Sequence, residues 1–147
     1  MSELPSPDSR HPARLASWRS MDAAARGDKQ AWLANFAEDA VVEDPVGKSP
    51  LDETGRGHRG PEAREAFWDG HIAPVRPIFN LQQSIACGDE CANVGTLMIQ
   101  FPDGAMSKLH GVYIYRVNDA GKVISLRTYW EYDEMEFLPA FEQRAGS

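Results

Sequence analysis

Long hydrophobic runs are missing from this 147-residue chain, and with them the roughly 20 apolar residues in a row that a bilayer-spanning helix needs. Positive charge is scarce: 15 Lys and Arg stand against 22 Asp and Glu, for a net charge of −7. That balance argues against nucleic acid and against anionic membrane surfaces as partners. Cysteine is nearly absent. Cys87 and Cys91 bound a Cys-Gly-Asp-Glu-Cys segment that falls in an expected turn. Reduced thiols in a cytoplasmic protein are the expectation; a cross-hairpin disulfide is the other arrangement the spacing allows. No two histidines have zinc-ligand spacing and there is no His/Cys cluster, so no metal is expected. No glycine-rich loop leads from a strand into a helix, so neither a nucleotide site nor any other cofactor is expected. The opening Met1-Ser2-Glu3-Leu4-Pro5-Ser6-Pro7-Asp8 lacks both the basic and the apolar part of a secretory signal.

What is present suits one globular domain over residues 12–138. A disordered lead-in over 1–11 and a tail over 139–147 are expected on either side. Leu15, Trp18, Met21 and Ala25 recur at spacings of three and four, which predicts a helix over 12–26 that Gly27 ends. Asp28 caps a second helix running through Phe36, with Trp32, Leu33 and Phe36 apolar. A short strand over 40–44 follows. A long polar loop, 48–60, precedes a third helix opened by Pro61-Glu62 and running to about His71, with Ala63, Ala66 and Phe67 inward. Four strands are then expected, over 78–87, 91–101, 106–117 and 122–132, separated by Asp/Glu, Pro-Asp-Gly and Asn-Asp-Ala-Gly turns. Helices first and hairpin strands afterwards give an α+β class. A curved antiparallel sheet packed on three helices would leave a cavity between the layers. Gly95 and Gly111, inside strands, are the candidates for the curvature.

The segment Ala37-Glu38-Asp39-Ala40-Val41-Val42-Glu43-Asp44-Pro45-Val46-Gly47 carries the chemistry. It ends an apolar strand on a carboxylate followed by proline. Pro45 biases Asp44 toward extended backbone, which fixes the direction of its carboxylate. Two readings stand at this point: a base in an apolar pocket, or an Asp-Pro turn. Glu43 points to the opposite face by strand alternation and reads as solvated.

The order of elements resembles the nuclear transport factor 2-like fold, a cone of sheet closed by helices. Within it, Gly27-Asp28, Phe36-Ala37-Glu38-Asp39-Ala40 and Val42-Glu43-Asp44-Pro45-Val46-Gly47 look like the ketosteroid isomerase branch. Gly57-His58-Arg59-Gly60-Pro61-Glu62-Ala63, then Ala66-Phe67-Trp68, is similar to that branch's loop and third helix. Arg116, Asn118-Asp119-Ala120-Gly121-Lys122-Val123 and Tyr129-Trp130 are similar to its last hairpin. The resemblance spans residues 14–132. In ketosteroid isomerases an aspartate moves a proton on carbon next to a carbonyl, while a tyrosine and a protonated aspartic acid hydrogen-bond the enolate oxygen. The resemblance places that base at Asp44. It places the tyrosine at the first-helix position held by Ser20, and the second acid at Tyr113, so both donors depart from the pattern. It implies a hydrophobic, steroid-like small-molecule ligand. SnoaL-like cyclases, hydrolases or dehydratases, and a non-catalytic binding protein for an apolar ligand, are the alternatives.

Strand alternation puts Leu109, Gly111, Tyr113, Tyr115 and Val117 on one face and His110, Val112, Ile114 and Arg116 on the other. The resemblance turns the Tyr113 face inward, where Tyr113 is a candidate donor or a core tyrosine and Tyr115 a candidate lining residue. Ser20 either donates to a ligand or bonds back to its own helix. Trp18 lies about 200° around the helix from Ser20 and reads as core or pocket wall. Trp130, sharing a face with Thr128, aligns with a pocket tryptophan of the family and reads as a ligand-facing ring or plain core packing. Phe36, Phe67 and Trp68 complete the expected apolar lining. Val112 and Ile114 on the outer face call for a cover, and a homodimer through that face is expected.

Overall fold

The computed structural model describes residues 3–140. Among them the chain forms three α-helices and seven strands. Helix α1 (Pro12–Arg26) starts on the side chain of His11, which accepts from Ala13 N, and ends on Gly27 at φ 69°. Only glycine adopts that left-handed conformation without cost. Asp28 Oδ1 caps α2 (Lys29–Ala34) by accepting from Ala31 N at 3.0 Å. Residues 3–11, expected as a disordered lead-in, are tied to the domain instead. Ser6 and Ser9 close a turn, His11 Nε2 meets Gly88 O at 2.9 Å, and Glu3 pairs with Arg14 at 3.8 Å. Most of the expected tail, residues 141–147, lies outside the described residues.

Strand β1 (Phe36–Glu43) begins four residues earlier than the sequence suggests, so Phe36 opens a strand rather than closing a helix. Asn35 produces the switch. Its side chain donates to Ala16 O at 2.9 Å, and its carbonyl accepts from Val123 N at 2.9 Å, which commits the chain to the sheet. A two-residue strand β2 (His58–Arg59) pairs with β1. Helix α3 (Gly60–Phe67) then runs into a wider π turn over Trp68–Ile72. The long strands β3 (Arg76–Cys87), β4 (Glu90–Gln100), β5 (Met106–Val117) and β6 (Val123–Tyr129) follow, with a short β7 (Glu136–Leu138).

The strand order is β2-β1-β6-β5-β4-β3, with β7 pairing β5 beyond the end of β6. The sheet is mixed, which corrects the antiparallel expectation: β1 runs parallel to β6. This pairing joins segments far apart in sequence, so no local signal announces it. Curvature comes from register shifts at Leu81/Gln83, Arg116/Val117 and Phe36/Val41. Gly95 and Gly111 sit beside close approaches of backbone. A Cβ at Gly95 would lie 2.5 Å from Asn80 O, and one at Gly111 2.5 Å from Tyr129 O. Buried Arg64 braces the irregular part of β1, donating to Ala40 O at 2.9 Å and Glu38 O at 3.2 Å.

The inner face of β5 carries Leu109, Tyr113, Tyr115 and Val117, all buried, against α1. On the outer face Val112 and Ile114 are half-buried, while Ile78, Ile85 and Tyr129 are exposed. The thiols of Cys87 and Cys91 are free.

Candidate active site

Asp44 leaves β1 at the step where the strand stops, through a cis peptide bond to Pro45. Val46 N donates to Thr128 O at 2.9 Å, fastening this turn to the end of β6. The parallel pairing of β1 with β6 therefore brings Asp44 beside Thr128 and Trp130. Both bond the same carboxylate oxygen. Thr128 Oγ1 donates to Asp44 Oδ1, and Trp130 Nε1 donates to Asp44 Oδ1 at 3.0 Å. Trp130 Nε1 also reaches Thr128 Oγ1 at 3.0 Å, closing a triangle. Asp44 Oδ2 has no hydrogen bond among the described residues.

Among the described residues, Asp44 is the sole carboxylate in the wall of a cavity of about 110 Å³ between the sheet and the helices. The wall is apolar for the most part. Trp32 and Phe67 come from α2 and α3, Leu97 and Ile99 from β4, and Leu109 and Leu126 from β5 and β6. The polar groups in it are few: Ser20, Asp44, His71, Tyr113, Tyr115 and Thr128, besides the indoles. Burial pushes the Asp44 carboxyl above its ordinary value, because desolvation disfavours the charged form. The Thr128 and Trp130 hydrogen bonds and the nearby His58 and His71 imidazoles pull the other way without prevailing. Burial also raises the phenols of Tyr113 and Tyr115, with the Asp44 charge adding to the effect. Both phenols therefore keep their protons at neutral pH and are donors. Burial lowers His71, and His58 lowers it further, while Asp44 opposes the change.

The donors differ in how firmly they are held. Tyr113 OH reaches Gly95 O at 3.4 Å, a long and weak bond. Tyr115 OH donates to Ser20 Oγ at 3.0 Å. His58 Nε2 is buried with no partner, and its ring lies 4.7 Å from that of Phe67, which His71 flanks from 5.1 Å. Leu51 enters the wall from the loop between β1 and β2. That loop is ordered by Asp52, whose carboxylate accepts from Thr54 Oγ1 at 2.8 Å and Gly57 N at 2.8 Å.

With this geometry in place, comparison with known proteins locates the fold among its relatives. A family model described as a SnoaL-like domain matches residues 19–126. The chain belongs to the SnoaL-like family, within the nuclear transport factor 2-like fold. Delta 5-3-ketosteroid isomerase from Mycobacterium sp. is 38% identical, with 86% of this chain and 98% of that one covered and a TM-score of 0.83. RV0760c from Mycobacterium tuberculosis, solved in complex with estradiol-17beta-hemisuccinate, is 39% identical, with 87% and 100% covered and a TM-score of 0.82. The epoxide hydrolase/cyclase-like enzyme SalBIII is 20% identical, with 84% and 93% covered and a TM-score of 0.69. That last likeness is one of fold alone.

The SnoaL-like cone gathers part of the residues that the sequence singles out. Asp44, Tyr113, Tyr115, Trp130, Phe67 and Ser20 all line the one cavity. Trp18, Phe36 and Trp68 do not. Trp18 faces away from it, beside Arg19, Asp22 and Lys122. Phe36 and Trp68 stand one layer behind the wall, packed on Trp32 at ring separations of 4.7 and 5.3 Å. An aromatic pattern on a helix marks a buried face but does not say whether the face meets a cavity or other rings. Trp130 presents its ring to the cavity, but its N–H is committed to Asp44. His71 and Thr128 are the polar wall residues that sequence reasoning passed over. Thr128 had a signal, its alternation with Trp130; His71 had none, because the π turn decides where it points.

Proposed function

We propose that this SnoaL-like protein catalyses intramolecular proton transfer next to the carbonyl of a hydrophobic, steroid-like small molecule, with Asp44 as general base. One observation carries the reading: among the described residues Asp44 is the cavity's single carboxylate, held by Oδ1 alone, with Oδ2 unbonded. A base needs this combination of fixed direction and a free lone pair. Its raised affinity for protons, a consequence of burial, moves it toward the range where a carboxylate can take a proton from carbon and return it.

In the proposed step, Asp44 Oδ2 takes a proton from the carbon beside the carbonyl. The C–H electron pair moves into the carbon framework and the carbonyl oxygen gains negative charge. Asp44 then gives the same proton to the carbon at the far end of the conjugated system, so the double bond shifts and nothing is consumed. Tyr113, loosely held by Gly95 O, is a donor for the charged oxygen. The cavity of about 110 Å³ is on the scale of engineered cavities of roughly 150 Å³ that accept one benzene ring. It takes the reacting ring, and the remainder of a larger ligand extends past it.

Assay of a Δ5-3-ketosteroid with wild type and Asp44→Asn tests this. Wild-type isomerisation that the variant loses supports the reading. No isomerisation by wild type removes the steroid substrate, and equal activity in the variant removes the base. His71 in the same wall favours a second reading, dehydration or cyclisation, in which its imidazole assists proton transfer at a leaving or opening oxygen. Turnover of polyketide or epoxide substrates, abolished by His71→Gln, would select it.

A further inference from the structure

Ser17 and Ser20 lie one turn apart on α1, and both are buried. They use their hydroxyls in opposite ways. Ser17 Oγ donates to Ala13 O at 2.8 Å and accepts from Asn93 Nδ2 at 3.0 Å, so its bonding is complete. Ser20 Oγ accepts from the Tyr115 hydroxyl at 3.0 Å and donates to no partner among the described residues. The return bond that a helical serine commonly makes to the preceding turn is closed to it. Ala16 O, the carbonyl it would reach, accepts Asn35 Nδ2 at 2.9 Å in addition to its place in the helix. A buried hydroxyl with an unused proton is costly unless something else takes the proton.

The wall in which Ser20 sits answers where that proton points. Ser20 and Tyr115 both line the cavity that holds Asp44. A hydroxyl that accepts from a phenol becomes a better donor, because the two bonds polarise one another. We propose that Ser20, polarised by Tyr115, is a hydrogen-bond donor to the carbonyl oxygen of the ligand in this cavity. Tyr115 is then a positioning residue acting through Ser20. The inference rests on the proton-transfer reading for its purpose, since charge grows on that oxygen as the proton leaves carbon. One such donor is worth about 10²–10³ in rate.

The test measures affinity for 2-naphthol, which carries an oxygen, and naphthalene, which does not, in wild type and variants. Ser20→Ala is expected to weaken 2-naphthol about tenfold, the value of one buried hydrogen bond, and to leave naphthalene unchanged. Tyr115→Phe weakens 2-naphthol by about threefold, and the double variant is no weaker than Ser20→Ala, because both act through one bond. In infrared spectra, the carbonyl stretch of bound 2-cyclohexenone moves toward its value in apolar solvent in Ser20→Ala. Equal losses for both naphthyl probes, no loss for either, or additive effects in the double variant would overturn the assignment. Should Ser20→Ala fail to fold, Tyr115→Phe with Ser20 intact carries the same selectivity between probes. Asp44→Asn separates this from the wider reading. If it leaves isomerisation untouched while the Ser20 selectivity holds, the base is lost and the donor stands. If isomerisation falls with Asp44 but Ser20→Ala shows no selectivity, the donor is lost and the base stands.

Discussion

Two polar clusters lie against the inner face of the sheet, and they differ in how their hydrogen bonds close. One joins Ser17, Ser84, Cys91 and Asn93. Ser84 Oγ donates to Asn93 Oδ1 at 2.8 Å, and Asn93 Nδ2 donates to Ser17 Oγ at 3.0 Å and Tyr113 O at 3.2 Å. Arg14 Nε completes Ser84 at 3.1 Å. The other cluster, at the cavity, leaves capacity open: Asp44 Oδ2, the Ser20 proton and a loosely held Tyr113 hydroxyl. A fully satisfied buried network fixes a fold; an incompletely satisfied one destabilises it unless a ligand completes it. The difference teaches where to look for chemistry here: at the buried polar groups whose bonding is unfinished, since burial alone marks both clusters.

The sharpest way to break this contrast is to remove one member from each cluster. Asp44→Asn is expected to lower turnover by about 10²–10⁴, the range for a positioned general base. Its melting temperature should not fall, since a buried charge is replaced by a neutral isostere. Asn93→Ala should do the reverse. It removes the acceptor of the Ser84 hydroxyl and the donor to Ser17 Oγ and the Tyr113 carbonyl together, and unfolding in urea should show a loss of about 2–3 kcal/mol with 2-naphthol affinity nearly intact. A large loss of ligand affinity in Asn93→Ala, or of stability in Asp44→Asn, would erase the division.

Proton linkage sharpens it further through two aspartates with opposite shifts. Asp44 is raised by burial from an ordinary value of 3.8, so the folded state holds its proton more tightly than the unfolded state. Its contribution to stability is fullest below 3.8 and declines as pH rises toward the raised value, then stays level. Asp52 is the mirror case. Burial pushes it up, but the Thr54 hydroxyl and the Gly57 and Gly55 N–H groups outweigh burial and leave it below 3.8. Its contribution is full above 3.8 and is lost as pH falls through the lowered value. Melting of wild type minus Asp44→Asn should therefore decline with rising pH. Melting of wild type minus Asp52→Asn should decline with falling pH. Parallel slopes would mean that the Asp44 carboxyl is not held in an apolar setting.

Much of this arrangement was readable from residues and some was not, for a physical reason. Helix α1 is legible to the residue because its periodic face and Gly27 are local signals. The inner face of β5 follows from alternation alone, so Tyr113 and Tyr115 could be placed together. The early start of β1 at Phe36 could not, since Trp32, Leu33 and Phe36 fit a helical spacing and only the bond from Val123 N to Asn35 O decides otherwise. The anchoring of Asp44 by Thr128 and Trp130 depends on a parallel pairing that no local pattern encodes. For the same reason the sequence does not separate core from pocket wall for Trp18, Phe36 and Trp68: aromatic spacing identifies a buried face, and tertiary packing decides what it is buried against.

The smallest expected effect separates two serines on one helix. Ser17→Ala removes a hydroxyl whose acceptor, Ala13 O, also lies within the helix, and whose donor, Asn93 Nδ2, retains Tyr113 O. The loss should be that of one ordinary buried hydrogen bond, about 1 kcal/mol. For a chain of this length it appears as a drop of roughly 2–4 °C in melting temperature. Affinity for 2-naphthol should not change, because the Ser17 hydroxyl is engaged on both sides and its neighbours are satisfied. Ser20, one turn along and equally buried, gives the opposite pattern if its proton faces the cavity. Composition, helix and burial are matched between the two sites, so any selectivity between them must come from whether the hydroxyl proton already has an acceptor.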